Sequence, residues 1–572
     1  MSTTAGSRAL SGAPARANAA VATATQAGLK VTAYRGDGSV LLAFNLEQKP
    51  AAGFAGFAAR CTPPNGKAFW LQNRLNFKDA VTAETTPAQR QAISTPTNEA
   101  PYQKFRWVDF SSWREPGAYT YEISAMYHQD GALKPGATVS VSLDLGPFQS
   151  GKLQAGFTRG FISSQAYVDQ FHNAPIRPAV KSIDYNTSSY EAQYAWLGFH
   201  ARCMVFDFLK GCFDDPQGEL DVFAYDLDEP DIIARLKSFG GRLRAVLDDA
   251  SLHTKPGAME ILAKNALIAS AGQANVHTGH FKRFAHDKVF IHKHDGQAVR
   301  VLTGSANFSV RGLYVQANNV LIFDDPDTAA LYEEAFQQSF KDMPKFSSSG
   351  IAGAWHDMPD RPDLPTYALA FSPHKTAEVS LGRVSEAIKG AQSSVLFAIM
   401  ELGGGGDVLQ QIKELAAKTN IFSYGVTQSQ AGASLYKPGS PNGILTPFAY
   451  LSKHVPEPFQ QEISGGAGQV IHDKFVVIDF NTPNAKVYTG SSNLAAGGET
   501  SNGDNLIELR DGAVASIFAA QAVGLVDHFH FRAVQQDATT AEPLCLSEED
   551  DWWQEYFTPG KLKYCDRVLF CP

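Results

Sequence analysis

Two short segments of this chain place a histidine and a lysine two residues apart. They read His286-Asp-Lys-Val-Phe-Ile and His472-Asp-Lys-Phe-Val-Val. Each is followed by a glycine-containing segment, Thr303-Gly-Ser-Ala-Asn in the first case and Thr489-Gly-Ser-Ser-Asn in the second. Corresponding positions are 186 residues apart throughout (472 − 286), so the two copies align without a gap. We interpret them as an internal repeat, because chance recurrence of so specific a pattern is very improbable.

The repeat offers groups that can bind the oxygens of an oxyanion and a nucleophile that can attack its central atom. Side chains two residues apart on a strand project from the same face, so each histidine lies beside its lysine. A glycine followed by Ser-x-Asn lets the backbone approach closely and adds hydroxyl and amide donors. An imidazole, an ammonium and neutral donors together suit phosphate. The candidate catalytic residues are His286, Lys288, Asn307, His472, Lys474 and Asn493.

These residues resemble the phospholipase D superfamily, whose mark is two HxKxxxxD motifs, each followed by GSxN. The resemblance covers roughly residues 155–572 and includes the Phe371-Ser-Pro-His segment. It implies an α/β fold of two pseudo-symmetric α/β/α units that form one active site. It also implies phosphodiester cleavage through a phosphohistidine intermediate, without a metal or another cofactor.

The second copy of the motif is complete, whereas the first departs from the family pattern. Asp479 stands at the motif aspartate in the second copy, but Lys293 occupies that place in the first. We expect Asp295 and Gly296 to form the turn between two strands instead, and we expect the neighbouring residues 292–294 to be solvated. Ser305 and Ser491 are supporting candidates that bond either the local backbone or the substrate.

Asp504 and Asn318 are the candidates to orient the imidazoles. Asp504 lies eleven residues after Asn493, where family nucleases place a carboxylate partner, and the equivalent first-copy position is Asn318 (504 − 186). A carboxylate favours a charged imidazole and a neutral amide does not. We therefore predict that His286, paired with Asn318, attacks phosphorus and that His472, paired with Asp504, donates the proton to the leaving oxygen.

Alternation of apolar and polar residues divides the chain into five parts. Residues 1–28 are predicted to be a disordered tail. Short strands over 29–150 predict an immunoglobulin- or fibronectin-like β-sandwich. Alternating strands and helices, typical of a mostly parallel sheet, predict a first half over 151–345 and a second over 367–572. Residues 346–366, rich in proline and serine, are predicted to be a linker.

Composition excludes several classes of protein but does not choose the substrate. The chain has 572 residues, of which 44% are hydrophobic and 19% charged, so it is neither fibrous nor wholly disordered. We found no run near the ~20 apolar residues of a membrane span, which leaves only peripheral membrane contact. Six cysteines without CxxC spacing favour reduced thiols in the cytoplasm. Both motifs lie in one chain, which favours a monomer.

Two substrates remain open at this stage, together with a non-catalytic alternative. A net charge of −9 and the absence of a Lys/Arg run favour a phospholipid head group slightly over nucleic acid. The GSxN-Phe segment Gly304–Phe308 and the Asp504 spacing resemble family endonucleases and favour DNA or RNA. A third reading is an inactive binding protein.

Overall fold

A computed structural model describes residues 20–110, 115–160, 167, 170–172, 174–400, 406–418, 420–428, 432–437, 444–447 and 470–572. Residues 1–19 of the predicted tail (1–28) lie outside the described residues, as do three of the four consecutive glycines at 403–406. The described chain forms three layered regions: a β-sandwich followed by two sheets that carry helices.

The N-terminal region is an all-β sandwich, as the sequence predicts. One four-stranded sheet consists of Val21–Gln26, Leu29–Arg35, Val40–Leu46 and Arg106–Asp109. The other consists of Ala132–Leu145, Gly117–Gln129, Phe54–Thr62 and Phe69–Trp70, and a small ribbon pairs Gln72–Asn73 with Thr95–Pro96. The strand Val21–Gln26 lies inside the segment predicted to be a tail, so that prediction is wrong from residue 21 onward. Its antiparallel pairing with Leu29–Arg35 satisfies the backbone of both.

The first half contains an eight-stranded sheet. Its spatial order is Phe148–Ser150, Leu153–Phe157, Asn319–Phe323, Gln297–Gly304, Lys288–His294, Gly218–Ala224, Leu243–Asp248 and Val276–Gly279. Only the last three strands are parallel to one another, and every other neighbour is antiparallel. The expectation of a mostly parallel sheet is therefore wrong. Tight connections such as the Asp295–Gly296 turn reverse the chain between neighbours, which a parallel pair does not allow.

The second half repeats this arrangement in a ten-stranded sheet. Its order is His356–Asp357, Thr366–Ser372, Asn502–Arg510, Lys486–Gly490, Lys474–Ile478, Ser394–Ile399, Phe422–Gln428, Gly432–Tyr436 and Ile444–Pro447. The tenth strand, Phe284–Ala285, comes from the first half and pairs with Asn502–Arg510. One strand of each motif thus lies at the centre of its own sheet, buried on both faces.

Helices cover the sheets. The described α-helices are Pro87–Ile93, Glu191–Asp214, Pro230–Ser238, Met259–Ala271, Val310–Tyr314, Pro326–Asp342, Glu378–Lys389, Asp407–Ala416, Ala496–Glu499, Gly512–Asp537 and Leu562–Phe570. Short 3₁₀ turns occupy Thr187–Tyr190, Gly240–Arg242, Gln273–Asn275, Met343–Ser348 and Gln554–Phe557. In both halves these helices alternate with strands along the chain, as the sequence pattern predicts.

The predicted linker packs against the catalytic halves. Phe346, Ile351, Ala352 and Leu364 are buried, and the strand His356–Asp357 joins the second sheet. The residues that follow the helix Gly512–Asp537 pack on the sandwich. There the ring of Trp552 stacks on that of Phe54, with ring centres 5.3 Å apart. The aromatic residues Trp552, Trp553, Tyr556 and Phe557 therefore pack into the core of the sandwich.

The helix Gly512–Asp537 is the one described helix that is long and apolar enough to cross a membrane. Of its most apolar 18-residue window, 78% is buried inside the protein. It lies between the sandwich and the second sheet, and Asp511 caps its N-terminus by accepting from the backbone of Ala513 and Val514. Burial on several sides explains its composition, because a helix at the centre of a large core is apolar all round.

A buried arginine joins the sandwich to the rest of the chain. Arg106 donates to Asp527 on the long helix at 2.6 Å and to Asp566 near the C-terminus at 2.7 Å. Its guanidinium also lies over the rings of Tyr424 and Phe570, at 5.2 and 5.3 Å. Removing it leaves two carboxylates in a low-dielectric interface without their cation, which is the costly way to break an ion pair.

We expect Arg106→Met to lower the free energy of unfolding by about 3–5 kcal/mol. Urea denaturation followed by intrinsic fluorescence measures the change. The matched control is Lys67→Met, an exposed cation on the same sandwich, for which a change within about 0.5 kcal/mol is expected. Equal effects of the two substitutions would contradict a structural role for the Arg106 pair.

Candidate active site

Each candidate histidine lies just before the central strand of its half. His286 and Lys288 lie at the start of Lys288–His294, and His472 and Lys474 at the start of Lys474–Ile478. Lys288 faces Ala224 across the sheet and Lys474 faces Ile399 in the corresponding place. All four side chains are at most 4% exposed, so the site lies in the interior between the two halves.

Main-chain hydrogen bonds cross between the halves at both histidines. The backbone N–H of His286 donates to the carbonyl oxygen of Gly503 at 2.9 Å. The backbone N–H of His472 donates to the carbonyl oxygen of Ala317 at 3.2 Å. Residues 317 and 503 are again 186 apart, so one contact is the pseudo-symmetric copy of the other. The two motifs therefore meet in one site.

The side-chain partners of the histidines also come from the opposite half, which corrects the predicted pairing. The Nδ1 atom of His286 lies 2.7 Å from Oδ1 of Asp504, and Nδ1 of His472 lies 2.8 Å from Oδ1 of Asn318. The sequence argument paired each histidine with the orienting residue of its own copy. That pairing is wrong, because the twofold packing brings the orienting residue of each half to the histidine of the other.

The amide of Asn318 fixes the tautomer of His472. Its Nδ2 donates to the carbonyl oxygen of Gly312 at 2.8 Å, and its Oδ1 accepts from Ser305 at 2.8 Å. Oδ1 therefore faces His472 as an acceptor, so Nδ1 of the imidazole carries the proton. Asp504 likewise accepts from Nδ1 of His286. Both imidazoles then keep Nε2 for attack or proton transfer.

A second set of crossing bonds involves residues that the sequence argument did not single out. Asn505 donates from Nδ2 to Asp287 at 2.8 Å, and Asn319 donates from Nδ2 to Asp473 at 3.0 Å. Asp287 and Asp473 are the middle residues of the two His-Asp-Lys motifs. Asn319 and Asn505 each directly follow the residue that orients a histidine. They are identical in both copies, so the repeat itself contained the signal. Their role is to hold each motif to the opposite half.

The two glycines of the repeat allow this close packing. Gly304 and Gly490 both have φ of 138°, a conformation that L side chains rarely adopt. A Cβ atom at either position would lie 2.4 Å from a backbone oxygen, that of Asn319 or Asn505. Ser305 and Ser491 follow them and accept from the backbone N–H of the same two asparagines, at 2.9 and 3.0 Å. The serines are thus bound to local partners.

The two motif asparagines differ in their surroundings. Asn307 donates from Nδ2 to Oδ2 of Asp226 at 2.6 Å. Asn493 is half-buried, and its Oδ1 has no hydrogen-bond partner among the described residues. Sequence reasoning predicted neither Asp226 nor this asymmetry. The first half of the site therefore holds the Nδ2 atom of its amide on a carboxylate, whereas the carbonyl oxygens of both amides have no partner among the described residues.

Burial and mutual repulsion lower the proton affinity of the basic groups. Burial holds the pKa of both histidines well below the usual value, and the lysines add to this effect. Burial lowers the pKa of Lys288 to about 8 and that of Lys474 well below its usual value. Burial raises the pKa of Asp504 to about 6. Binding of an anion would therefore stabilise the site, because its negative charge would offset the clustered positive charge.

Aromatic and sulfur contacts distinguish the two lysines. Lys288 donates to the carbonyl oxygen of His286 and lies 5.0 Å from the ring centre of Tyr225, which also packs edge-on against His286 at 4.6 Å. Lys474 donates to the carbonyl oxygen of His472 at 2.7 Å and lies 3.6 Å from the sulfur of Met400. Tyr225 and Met400 each directly follow the strand that pairs with the motif strand of their half. The two halves therefore have the same backbone arrangement but place side chains of different polarity beside the lysine.

The supporting aspartate of the second motif is structural. Asp479 accepts from the backbone N–H of Gln392 and of Ser393, both at 2.8 Å, far along the strand from His472. At the equivalent first-copy position Lys293 is buried beside Glu219 at 3.2 Å. His292 is buried as well, so the expectation that both are solvated is wrong, and only His294 is exposed. Helices packed on the sheet cover these side chains, since Phe208 lies against His292 and Glu333 lies 3.8 Å from Lys293.

One cluster near the site has the residue types of a metal centre. Asp226, His253 and Glu260 bring potential ligand atoms within 4.8 Å of one another. The two ring nitrogens of His253 already donate to Asp226 at 2.9 Å and to Asp248 at 2.7 Å. Burial lowers the pKa of His253, but these hydrogen bonds to carboxylates outweigh burial and raise the pKa to about 10. An imidazolium between two carboxylates is a complete ion cluster, and it positions the Asp226 that binds Asn307.

Comparisons with known proteins identify the kind of fold. Residues 209–340 match the family model described as cardiolipin synthase, PLD-like domain. The structure is similar to phosphatidylserine synthase from Haemophilus influenzae Rd KW20 (10% identity, 71% of this chain and 99% of that one, TM-score 0.39). It is also similar to Nuc, a phospholipase D family member from Salmonella typhimurium (26% identity, 23% and 84%, TM-score 0.20).

A third solved structure with detectable similarity is polyphosphate kinase from Porphyromonas gingivalis (11% identity, 56% and 46%, TM-score 0.35). This chain therefore spans less than half the length of that kinase. No curated protein sequence matches the chain significantly. The matched family model includes the strand after His286 and the segment that ends at Asn307, so it coincides with the first copy of the repeat.

The crossed pairing predicts which imidazole responds to each substitution. Asp504→Asn should lower the pKa of His286 and leave that of His472 nearly unchanged, because the carboxylate that favours the imidazolium faces only His286. Asn318→Asp should raise the pKa of His472 for the same reason. NMR titration of the imidazole C–H signals measures both changes, with His286→Gln and His472→Gln variants to assign the resonances. Shifts of the opposite histidines would restore the pairing within each copy.

Proposed function

Because the chain carries two copies of the phospholipase D motif and residues 209–340 match a PLD-like family model, we propose that it is a metal-independent phosphodiesterase that works through a phosphohistidine. The observation that carries the proposal is the pair of buried imidazoles, each with Nδ1 bound across the pseudo-twofold axis and Nε2 available. Two lysines accompany them on the same strands. This arrangement supplies a nucleophile, an acid and an oxyanion site at once.

In this proposal His286 is the nucleophile. Its Nε2 attacks phosphorus, the N–P bond forms, and the bond to the leaving oxygen breaks. Because Nδ1 keeps its proton, the phosphorylated ring carries a positive charge, and the Asp504 carboxylate at 2.7 Å stabilises that charge. The order of the histidines is the one predicted from the sequence, but the reason is reversed: the carboxylate supports the attacking imidazole.

His472 is then the general acid of the first step and the general base of the second. It donates the proton on Nε2 to the leaving oxygen, so the product leaves as an alcohol. It next accepts a proton from the water that attacks phosphorus, which breaks the N–P bond and regenerates His286. The neutral amide of Asn318 suits the acid, because a carboxylate partner would hold the proton more tightly. The negative charge of bound phosphate favours the protonated imidazole before the reaction.

Lys288, Lys474 and Asn493 bind the non-bridging oxygens in this scheme, and Asn307 joins them when it exchanges Asp226 for phosphate. A charge-assisted hydrogen bond is roughly twice as strong as a neutral one, so the lysines contribute most. The pKa of Lys288, lowered by burial to about 8, still leaves this lysine protonated below that pH, and a bound anion raises the pKa of both lysines.

A phospholipid head group is the substrate class that we propose. A groove for DNA or RNA needs positive charge along neighbouring phosphates. The chain has a net charge of −9, with 49 Lys and Arg against 58 Asp and Glu, which favours the lipid head group over a nucleic acid. The description of the matched family model, cardiolipin synthase, supports the same class. The acceptor is water in a hydrolase, or an alcohol in the related transfer reaction.

The test incubates the protein with EDTA and labelled phosphatidylcholine, phosphatidylglycerol, and single- and double-stranded DNA. We expect release of the lipid head group and no cleavage of DNA, with His286→Asn as the inactive control. Cleavage of DNA alone would identify a nuclease and overturn the lipid proposal. Loss of all activity with EDTA, restored by a divalent metal, would overturn the phosphohistidine mechanism, which uses none.

The roles of the histidines can be separated by the leaving group. His472→Asn should reduce cleavage of an alkyl phosphodiester by about 10²–10⁴-fold, the usual contribution of general acid catalysis. It should retain a burst of p-nitrophenol from a p-nitrophenyl phosphodiester, since that group leaves without a proton. His286→Asn should abolish both, because no covalent bond can form. Covalent phosphate on His472 in the His286→Asn variant would reverse the two roles.

A further inference from the structure

A buried histidine outside both motifs bridges two carboxylates of the first half. His253 lies shortly after the strand Leu243–Asp248. Its Nε2 atom is 2.9 Å from Oδ1 of Asp226, and its Nδ1 atom is 2.7 Å from Oδ2 of Asp248. None of these three residues is part of the repeat, so the bridge is a feature that only the fold brings together.

The hydrogen bonds of the two carboxylates determine the protonation of the ring. Asp226 accepts from Nδ2 of Asn307 at 2.6 Å through its other oxygen. Asp248 accepts from the backbone N–H of Ala285 at 2.6 Å, again through its other oxygen. Both carboxylates thus accept on both oxygens, as the ionised form does, and each ring nitrogen must supply a proton. A neutral imidazole has only one such proton, so His253 is an imidazolium.

The Asp248 side of the bridge reaches the proposed nucleophile. Asp248 holds the backbone of Ala285, which is the residue directly before His286. Ala285 pairs with Gly503 of the opposite half, and the backbone N–H of His286 donates to the carbonyl oxygen of the same glycine. Asp248 therefore helps to fix the segment of backbone that carries the nucleophile.

The second half holds the equivalent backbone without a charge. Asp248 and Gln428 are each the last residue of equivalent strands. Oε1 of Gln428 accepts from the backbone N–H of Ile471 at 3.2 Å, and Ile471 directly precedes its catalytic histidine, as Ala285 does. An amide is sufficient for this hydrogen bond. The carboxylate of Asp248 therefore adds a negative charge that the hydrogen bond itself does not require.

The charges of Asp226 and Asp248 extend to the groups that would meet the substrate. Burial lowers the pKa of His286 and of Lys288, and these two carboxylates act in the opposite direction. The same field opposes the entry of an anion such as phosphate. The positive charge of His253 offsets one of the two negative charges and so reduces this repulsion.

We propose that His253 is a positioning residue of the catalytic site, and that its charge strengthens the binding of phosphate. Its two hydrogen bonds hold Asp226, which binds Asn307, and Asp248, which binds the backbone before the nucleophile. The role rests on the proposed function, since it concerns the same phosphate site. His253 acts through the residues that it binds and takes no part in the transfer of phosphate.

Binding of inorganic phosphate to the full-length protein tests this role separately from catalysis. We expect His253→Gln to weaken phosphate binding by about tenfold or more in calorimetry, because two uncompensated carboxylates then oppose the anion. The matched control is His292→Gln, which should leave the affinity unchanged. His292 is also buried and lies 3.1 Å from a carboxylate, that of Asp215. It is four residues beyond Lys288 on the same strand, about 13 Å away.

A second substitution separates charge from structure. Adding Asp226→Asn to His253→Gln should recover most of the lost phosphate affinity, because it removes an uncompensated negative charge. The KM for bis(p-nitrophenyl) phosphate should rise in His253→Gln and fall again in the double variant. A purely structural role predicts that the double variant binds no more tightly than His253→Gln. Asp226→Asn alone should bind phosphate at least as tightly as the unmodified protein, which keeps the test open if His253→Gln folds poorly.

The charge of the ring can be observed by NMR. In protein labelled with nitrogen-15 histidine, both ring nitrogens of His253 should carry a proton at about pH 8, where an unperturbed histidine with a pKa of about 6.5 is neutral. Loss of these signals in His253→Gln assigns them. This measurement needs neither substrate nor activity.

Unchanged phosphate affinity in His253→Gln, or a neutral His253 ring at this pH, would overturn the proposed role. A double variant that binds as weakly as His253→Gln would do the same. Absence of phosphate binding by the unmodified protein would overturn the role together with the proposed function. Phosphate binding that follows the expected order in the variants, without cleavage of any phosphodiester, would support the role of His253 and contradict only the proposed function.

Discussion

The hydrogen bond between each catalytic imidazole and the opposite half is the contact on which the site depends. Asp504 and Asn318 belong to different copies of the repeat, and each orients the histidine of the other copy. Neither half can therefore set the tautomer of its own histidine. Packing of the two halves orients both imidazoles at once, and the Asn505–Asp287 and Asn319–Asp473 hydrogen bonds join each motif to the opposite half.

Pseudo-symmetry of the backbone with asymmetry of the side chains then gives two imidazoles two different tasks. The repeat keeps the same main-chain contacts on both sides, but the carboxylate of Asp504 corresponds to the amide of Asn318 and the ring of Tyr225 to the thioether of Met400. The covalent mechanism that we propose needs this difference, because in it the attacking ring becomes positive while the acid loses its charge. Burial enlarges the difference between the two imidazoles, because the electrostatic effect of a carboxylate or an amide on a neighbouring ring is stronger in a low dielectric.

The regions outside the repeat close around the site and make one folded unit. The C-terminal residues return to the sandwich, the predicted linker packs on the second sheet, and Arg106 joins three separate parts of the chain. The helix Gly512–Asp537 runs through the middle of this assembly and contacts the catalytic centre through Gln521. Its apolar sequence follows from that position, because a helix buried on several sides is apolar all round.

The sequence by itself determined the repeat, the catalytic residue types and most strands and helices, because periodicity and spacing are local properties of the chain. Even the aspartates and asparagines that cross between the halves were visible as identical residues 186 apart. Only the tertiary structure decided which orienting residue serves which histidine, that the sheets are mixed, that Lys293 is buried and that Asp226 holds Asn307. Each of these depends on contacts between residues far apart in sequence, and a one-dimensional pattern carries no information on which of two equivalent partners the fold brings together.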